Sequence, residues 1–244
     1  MAQEIYQEIY PRYCTPLGRL IDKIIHLAGL VFAVVGGVVL LALTFASRDG
    51  RALAIAIYAL GFVAMLAASM AYSFGSPKRR SLLRRLDHAG IFLMIAGSYT
   101  PFTTHALTGA WAWGMTSAVW AIAGAGIALK LLLPDMRESV SVAFFVALGW
   151  IVLIAAGPII KALSMPALVL LLAGGLVYTA GVIFHVKEHW RFARPIWHGH
   201  VLVGAVLHWI AVLIGVVLVT ATPEVVASSH PAPGSTVSQG AGGR

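Results

Sequence analysis

A single cysteine, Cys14, in 244 residues leaves no partner for an intramolecular disulfide and excludes a metal site built from several thiolates. Charge is scarce as well. Asp and Glu together number nine, and charged residues of both signs make up 11% of the chain, against about a quarter in an ordinary soluble domain. A chain with so little charge cannot clothe a globule in polar side chains. Also missing are a glycine-rich phosphate loop and a nucleophile elbow, so the common nucleotide-binding and serine-hydrolase signatures give no lead. The first 20 residues carry Glu4, Glu8, Pro11 and Pro16 but no apolar run. We therefore expect no cleavable signal, with the first apolar segment serving as its own insertion signal.

What is present is apolar. Hydrophobic residues fill 59% of the sequence and the mean hydropathy is +0.88, a load that lipid tolerates and water does not. Runs of about 20 such residues match the ~30 Å hydrocarbon core, and backbone groups inside it must be paired within helices. The runs predict seven spans, near 24–46, 52–74, 88–108, 110–133, 139–157, 166–185 and 196–221. The fold class is an all-α integral membrane protein, a seven-transmembrane helix bundle. It divides into an N-terminal segment 1–19, a membrane domain 20–222 and a tail 223–244. The tail is rich in Pro, Ser and Gly and reads as disordered.

Basic residues set the orientation. With the N-terminus inside, the inner segments hold Arg12, Arg19, Lys23, Lys78, Arg79, Arg80, Arg84, Arg85, Lys130, Arg137, Lys187, Arg191 and Arg194; the outer ones hold Arg48, Arg51, Lys161 and Arg244. Thirteen against four predicts a cytoplasmic N-terminus and an outer C-terminus. The formal charge of +8 has the same origin. It suits basic loops, chiefly 78–85, resting on anionic headgroups, and makes membrane lipid the expected partner, with nucleic acid excluded by so apolar a chain. The oligomeric state is left open.

The polar residues best placed for chemistry gather at one end of this bundle. Asp22 and His26 open the first span, Ser69, Tyr72 and Ser73 close the second, Asp87 and His88 open the third, and His185, His198 and His200 flank the junction of the last two. If those ends share a membrane face, they form one polar site in the cytoplasmic leaflet. Each also has a plainer reading: Asp87 as a helix cap, His26 and His88 as hydrogen-bonded interfacial histidines, His200 and His208 as packing groups between helices. Pro101, beside Tyr99 and Thr100, is expected to kink the third span. Gly36, Gly37, Gly174, Gly175 and Gly204 mark sites of close helix approach.

Two stretches, LDHAGIFLMIAGSYTPF at 86–102 and PIWHGHVLVGAVLH at 195–208, together with SMAYSF at 69–74 and IHLAG at 25–29, resemble the bacterial hemolysin III family, relatives of the adiponectin and progestin receptors. The resemblance runs over roughly 17–218. It implies seven helices with the N-terminus inside and, in several relatives, a zinc ion held near the cytoplasmic face by three histidines with a Ser and an Asp beside it. For receptor relatives it implies hydrolysis of ceramide-type amides; for bacterial ones, cytolysis or membrane-lipid homeostasis.

Transferred residue by residue, the pattern is incomplete. Ser69 and Tyr72 match on the second span, but Ser73 stands where a zinc-binding His is expected. Asp87 matches on the third. On the last span the first of two histidines four apart is Arg194, and His198 is the one family ligand retained. A neutral hydroxyl binds zinc poorly and a guanidinium repels it, so zinc is disfavoured. Arg194 is instead read as a counter-ion for Asp87, because a carboxylate at the bilayer margin needs compensating charge. Pro195 would set Arg194 at the helix entrance.

The resulting expectation is lipid binding or sensing, or membrane homeostasis, through a cytoplasmic-side polar cavity in a bacterial inner membrane. Asp87 and Ser69 are the candidate catalytic groups, and Ser73, Tyr72, Arg194, His26 and His88 are expected to line the cavity, with His198 as the metal position. The alternatives are a zinc-dependent hydrolase of lipid amides and a cytolysin or channel. The last would need polar residues through the full depth of several spans.

Overall fold

The computed structural model describes residues 13–47, 50–133, 137–187 and 189–219; the expected tail at 223–244 lies outside them. Long helices dominate, and among the described residues there is no strand. In chain order they are α1 (Pro16–Ser47), α2 (Ala52–Phe74), α3 (Arg80–His105), α4 (Gly109–Leu132), α5 (Glu138–Trp150), α6 (Ala156–Ala162), α7 (Met165–Val186) and α8 (Ala193–Val212). A tight 3-10 turn, Ile151–Ala155, joins α5 to α6 into one broken segment, and a π turn, Leu213–Val217, extends α8.

Six of these segments are long and apolar enough to cross a membrane. The exception is α3, which opens with Arg80, Arg84 and Arg85 and ends in Thr103, Thr104 and His105. Its setting explains why it can be less apolar. α3 packs along α2 and α4 and also reaches α5 and α8, so protein rather than lipid faces much of it. Phe92 and Ala96 are completely buried, and Met94 nearly so.

The outer surface is the inverse of a soluble protein's. Val31, Val35 and Val38 on α1, Leu53 and Leu60 on α2 and Val169, Leu172 and Leu176 on α7 all stand exposed, a continuous apolar coat that only hydrocarbon would accept. Inside, α1 packs on α2 and α8, α2 on α3, α3 on α4 and α5, α5 on α7, and α7 on α8. The helices thus close into a ring.

Small residues set the closest approaches. A Cβ added at Gly36 would strike the Trp209 ring, at Gly37 the Cβ of Ala59, at Gly174 the His208 ring, and at Gly204 the Tyr178 ring at 2.9 Å. Helix packing in lipid draws on such contacts, since tails are as apolar as leucine. Pro166 lies in the first turn of α7, where its missing N–H costs nothing. Pro101 lies inside α3.

Two helices begin earlier than apolar counting suggests: α1 at Pro16 rather than 24 and α3 at Arg80 rather than 88. Counting stops at the first charges, whereas a helix continues beyond the hydrocarbon as long as its backbone is paired. At the far end of the ring, Arg51 donates to the main-chain oxygens of Val216 and, at 3.0 Å, Val219. It neutralises carbonyls that the last helix leaves unpaired.

Candidate functional site

α1, α3, α5 and α8 all begin at one end of the ring, and α2 and α7 finish there. The polar residues of those termini therefore meet. At the centre is Asp22, whose side chain is wholly buried. Tyr13 donates its hydroxyl to Oδ2 at 2.5 Å, and Oδ1 lies 2.5 Å from Nδ1 of His198. Burying a carboxylate is unfavourable unless both oxygens are bonded, and here both are. Burial, and then the neighbouring Asp22 carboxylate, raise the pKa of Tyr13, so its phenol stays a donor.

One turn along α1 lies His26. Its Nδ1 is 2.8 Å from the main-chain oxygen of Asp22, and its Nε2 is 3.2 Å from Oγ of Ser69 on α2. The His26 and His198 rings meet edge to face, centroids 4.3 Å apart, and Phe74 closes over His26 from α2. Asp87 of α3 stands with Ser69 at this end, in the wall of a central cavity. Arg194 sits over the Tyr72 ring, 5.8 Å from its centroid, where its charge acts on both Asp87 and His198.

A cavity of about 160 Å³ opens from this cluster into the middle of the ring. Six helices line it: α1, α2, α3, α5, α7 and α8. His26, Ser69, Asp87, His185 and His198 occupy its polar end, and Met94, Val142, Val182 and Leu202 are among its apolar walls. Deeper in, His208 is 3.2 Å from the Leu171 oxygen, a hydrogen bond between helices. His200 bonds back to Ile196 of its own helix.

Of the residues singled out from sequence, Ser69, Asp87, His26 and His198 thus stand in the cavity wall. Ser73, Tyr72 and Arg194 are not among its lining residues. Tyr72 and Arg194 stack on each other outside it, and Ser73 follows one turn after Ser69 on α2. The expectation that these three line the cavity is corrected accordingly. His88 departs further. Successive helical residues point about 100° apart, so with Asp87 turned to the cavity, His88 turns to α5, buried edge-on against Phe145 at 6.1 Å.

Sequence reasoning also passed over Tyr13 and Glu138. Glu138 accepts from Arg84 at 2.7 Å and lies 3.1 Å from His185, tying the starts of α3 and α5 to the end of α7. A carboxylate four residues before a histidine in an apolar helix, as Asp22 is before His26, was the readable signal for the centre of the cluster.

The zinc that the resemblance implies can be tested against these residues. At the expected ligand positions stand a hydroxyl, a guanidinium and His198; that set does not fit. Asp22, His26 and His198 do bring three ligand atoms within 4.8 Å of one another. Those atoms already hold each other, Tyr13, Ser69 and a main-chain oxygen, bonds that an ion would have to replace.

Comparison with known proteins agrees with the architecture. The profile described as Haemolysin-III related matches residues 20–209. Over 199 residues the chain is 32% identical to Hemolysin-3 of Bacillus cereus, covering 80% of this chain and 90% of that one. It is 30% identical to the Hemolysin-3 homolog of Bacillus subtilis (strain 168), with coverage of 80% and 92%. Human Monocyte to macrophage differentiation factor is 29% identical over 167 residues, covering 64% of this chain and 67% of the relative. With most of its length matched by that profile and its helices clad in apolar side chains, the chain belongs to the haemolysin-III-related family of multi-pass membrane proteins.

Proposed function

We propose that this protein binds membrane lipid in its central cavity and acts in lipid sensing or membrane homeostasis from the inner membrane of a bacterium. The observation that carries the reading is the cavity itself: an apolar chamber within the helical ring whose titratable groups gather mainly at one end. An acyl chain suits the apolar part, and a headgroup or acyl carbonyl suits the histidines and Asp87. In this reading α3 is the seventh span, wrapped by its neighbours, and the polar end faces the cytoplasm, as the basic residues indicate. The family's zinc set is degraded, and Arg194 supplies positive charge in its place.

A hydrolase working through zinc finds no support at Ser73 and Arg194. A cytolysin is suggested by the names of the Bacillus relatives, but a conducting pore would need polar groups along its whole depth, and the cavity wall is mainly apolar, with Met94, Val142 and Leu202 in it.

The test is lipid retention. Purified protein should carry about one lipid per chain in native mass spectra, enriched over its share of the membrane extract. Leu202→Trp, which fills the cavity, should release it while thermal stability holds. Lipid retained equally by this variant, or present only in the proportions of the bulk extract, would overturn the reading.

A further inference from the structure

Asp22 imposes a proton arrangement on His26. Nδ1 of His26 faces the main-chain oxygen of Asp22 at 2.8 Å, an acceptor with no proton to offer, so in the neutral ring Nδ1 carries the hydrogen and Nε2 carries the lone pair. Nε2 lies 3.2 Å from Oγ of Ser69. Ser69 must therefore donate to it, which is the contact between a nucleophilic hydroxyl and its general base. The Asp22 carboxylate stands 3.7 Å from His26 Nδ1, close enough to favour the imidazolium that forms when the ring takes a proton. Asp87 stands at the same end of the cavity wall, and Arg194, over the Tyr72 ring, brings positive charge to that end from outside the chamber.

Both Ser69 and His26 are nearly inaccessible from bulk water yet line the cavity. A reacting carbonyl can reach them only from inside the chamber. We propose that Ser69 is a nucleophile, with His26 as its base, toward the ester carbonyl of an acyl lipid lodged there, in a reaction that needs no metal. Ser69 Oγ bonds to the acyl carbon as its proton passes to His26 Nε2. The adduct then collapses, the bond from the acyl carbon to the alcohol oxygen breaks, and His26 returns the proton to that oxygen. Water then bonds to the acyl carbon as its proton passes to His26; the bond from that carbon to Ser69 Oγ breaks, the fatty acid leaves, and His26 returns the proton to Oγ. An ester is favoured over an amide because its carbonyl is the more electrophilic and its alcohol oxygen the better leaving group, so a serine–histidine pair suffices.

This inference rests on the cavity accepting an acyl chain, and the experiment separates the two. The full-length protein in detergent, with chelator present, is incubated with a dodecyl fluorophosphonate, and the adduct is located by intact mass and peptide mapping. A fluorescent, non-reactive acyl lipid reports cavity binding in the same samples. One adduct on Ser69 is expected, unaffected by chelator, absent in Ser69→Ala and formed about 100-fold more slowly in His26→Gln, the scale of a general base, with thermal melting showing both variants folded. Wild-type protein that binds the lipid yet takes no adduct at Ser69 would overturn the nucleophile and leave lipid binding standing. An adduct formed at full rate in His26→Gln would overturn the base. Failure of wild-type protein to bind the lipid overturns both.

Discussion

At the scale of single residues, Ser73 and Arg194, which stand where the resemblance leads one to expect histidines, bear on what the site can hold. Arg194 brings a permanent cation to the end of the cavity where Asp22 and Asp87 bring carboxylates. Wild-type protein is expected to purify with far less than one zinc per chain. Arg194→Ala should lower thermal stability, by less than the ~3–5 kcal/mol that removing one partner of a fully buried pair costs, because Arg194 is only partly buried. Ser73→His combined with Arg194→His returns two ligands to positions beside His198 and should create stoichiometric zinc binding, read by metal analysis; one zinc per wild-type chain, lost on His198→Ala, would contradict the counter-ion reading. Much of this site was readable in sequence, since Ser69, Asp87, His26 and His198 could be assigned to one end by counting spans. The part that was not readable concerns direction. Nothing in the order Asp87, His88 says which of two adjacent side chains turns inward, and the motif drew the eye to Ser73 and Arg194 while Asp22, one turn before His26, holds the cluster together.

At the scale of the helix, α4 offers a paired test of packing. Gly124 and Gly126 are two residues apart, on opposite flanks of one apolar helix. A Cβ at Gly126 would press into the Phe92 ring at 2.5 Å, whereas one at Gly124 meets nothing within 4 Å. Gly126→Ala should therefore destabilise, by about 1–3 kcal/mol for overpacking. Gly124→Ala should leave the melting temperature unchanged or raise it, alanine being the better helix former. Equal effects would mean that α3 and α4 do not pack as described. Such contacts were legible for Gly36, Gly174 and Gly204, because small residues in apolar helices point to crossings. The break at Ile151–Ala155 was legible in part. Gly157–Pro158 follows it, and Pro158 has no N–H to give the Ile154 oxygen; the other contribution lies on another helix, where Tyr99 of α3 donates its hydroxyl to the Gly149 oxygen at 2.7 Å and accepts from the Val152 N–H at 3.1 Å.

For the whole molecule the open quantity is sidedness. Cysteines placed singly at Ser81 and Ser229 in a Cys14-free background should react with membrane-impermeant reagent from opposite faces, Ser81 from the cytoplasm; labelling of both from one face would refute the thirteen-to-four asymmetry as a guide. The architecture was legible at this scale because a bilayer constrains so much: length, pairing and outward side chains follow from the solvent. Closure of the ring was not, since apolar runs do not say which helices are neighbours.

The hydroxyl of Tyr99 bears on how the chain is assembled during synthesis. When the fifth segment first enters the bilayer, the carbonyl of Gly149 and the amide of Val152 lie where α-helical pairing gives way to a 3-10 turn, and hydrocarbon offers no hydrogen bond of its own. α3 has by then already emerged from the ribosome, so the group that completes the break is waiting in the membrane. Insertion of the fifth segment is thereby made conditional on an earlier one, an order of construction written into a single side chain. Tyr99→Phe should let α3 enter normally yet leave the fifth segment prone to slip or to cleavage near Trp150, visible as a late-stage fragment in pulse-chase proteolysis.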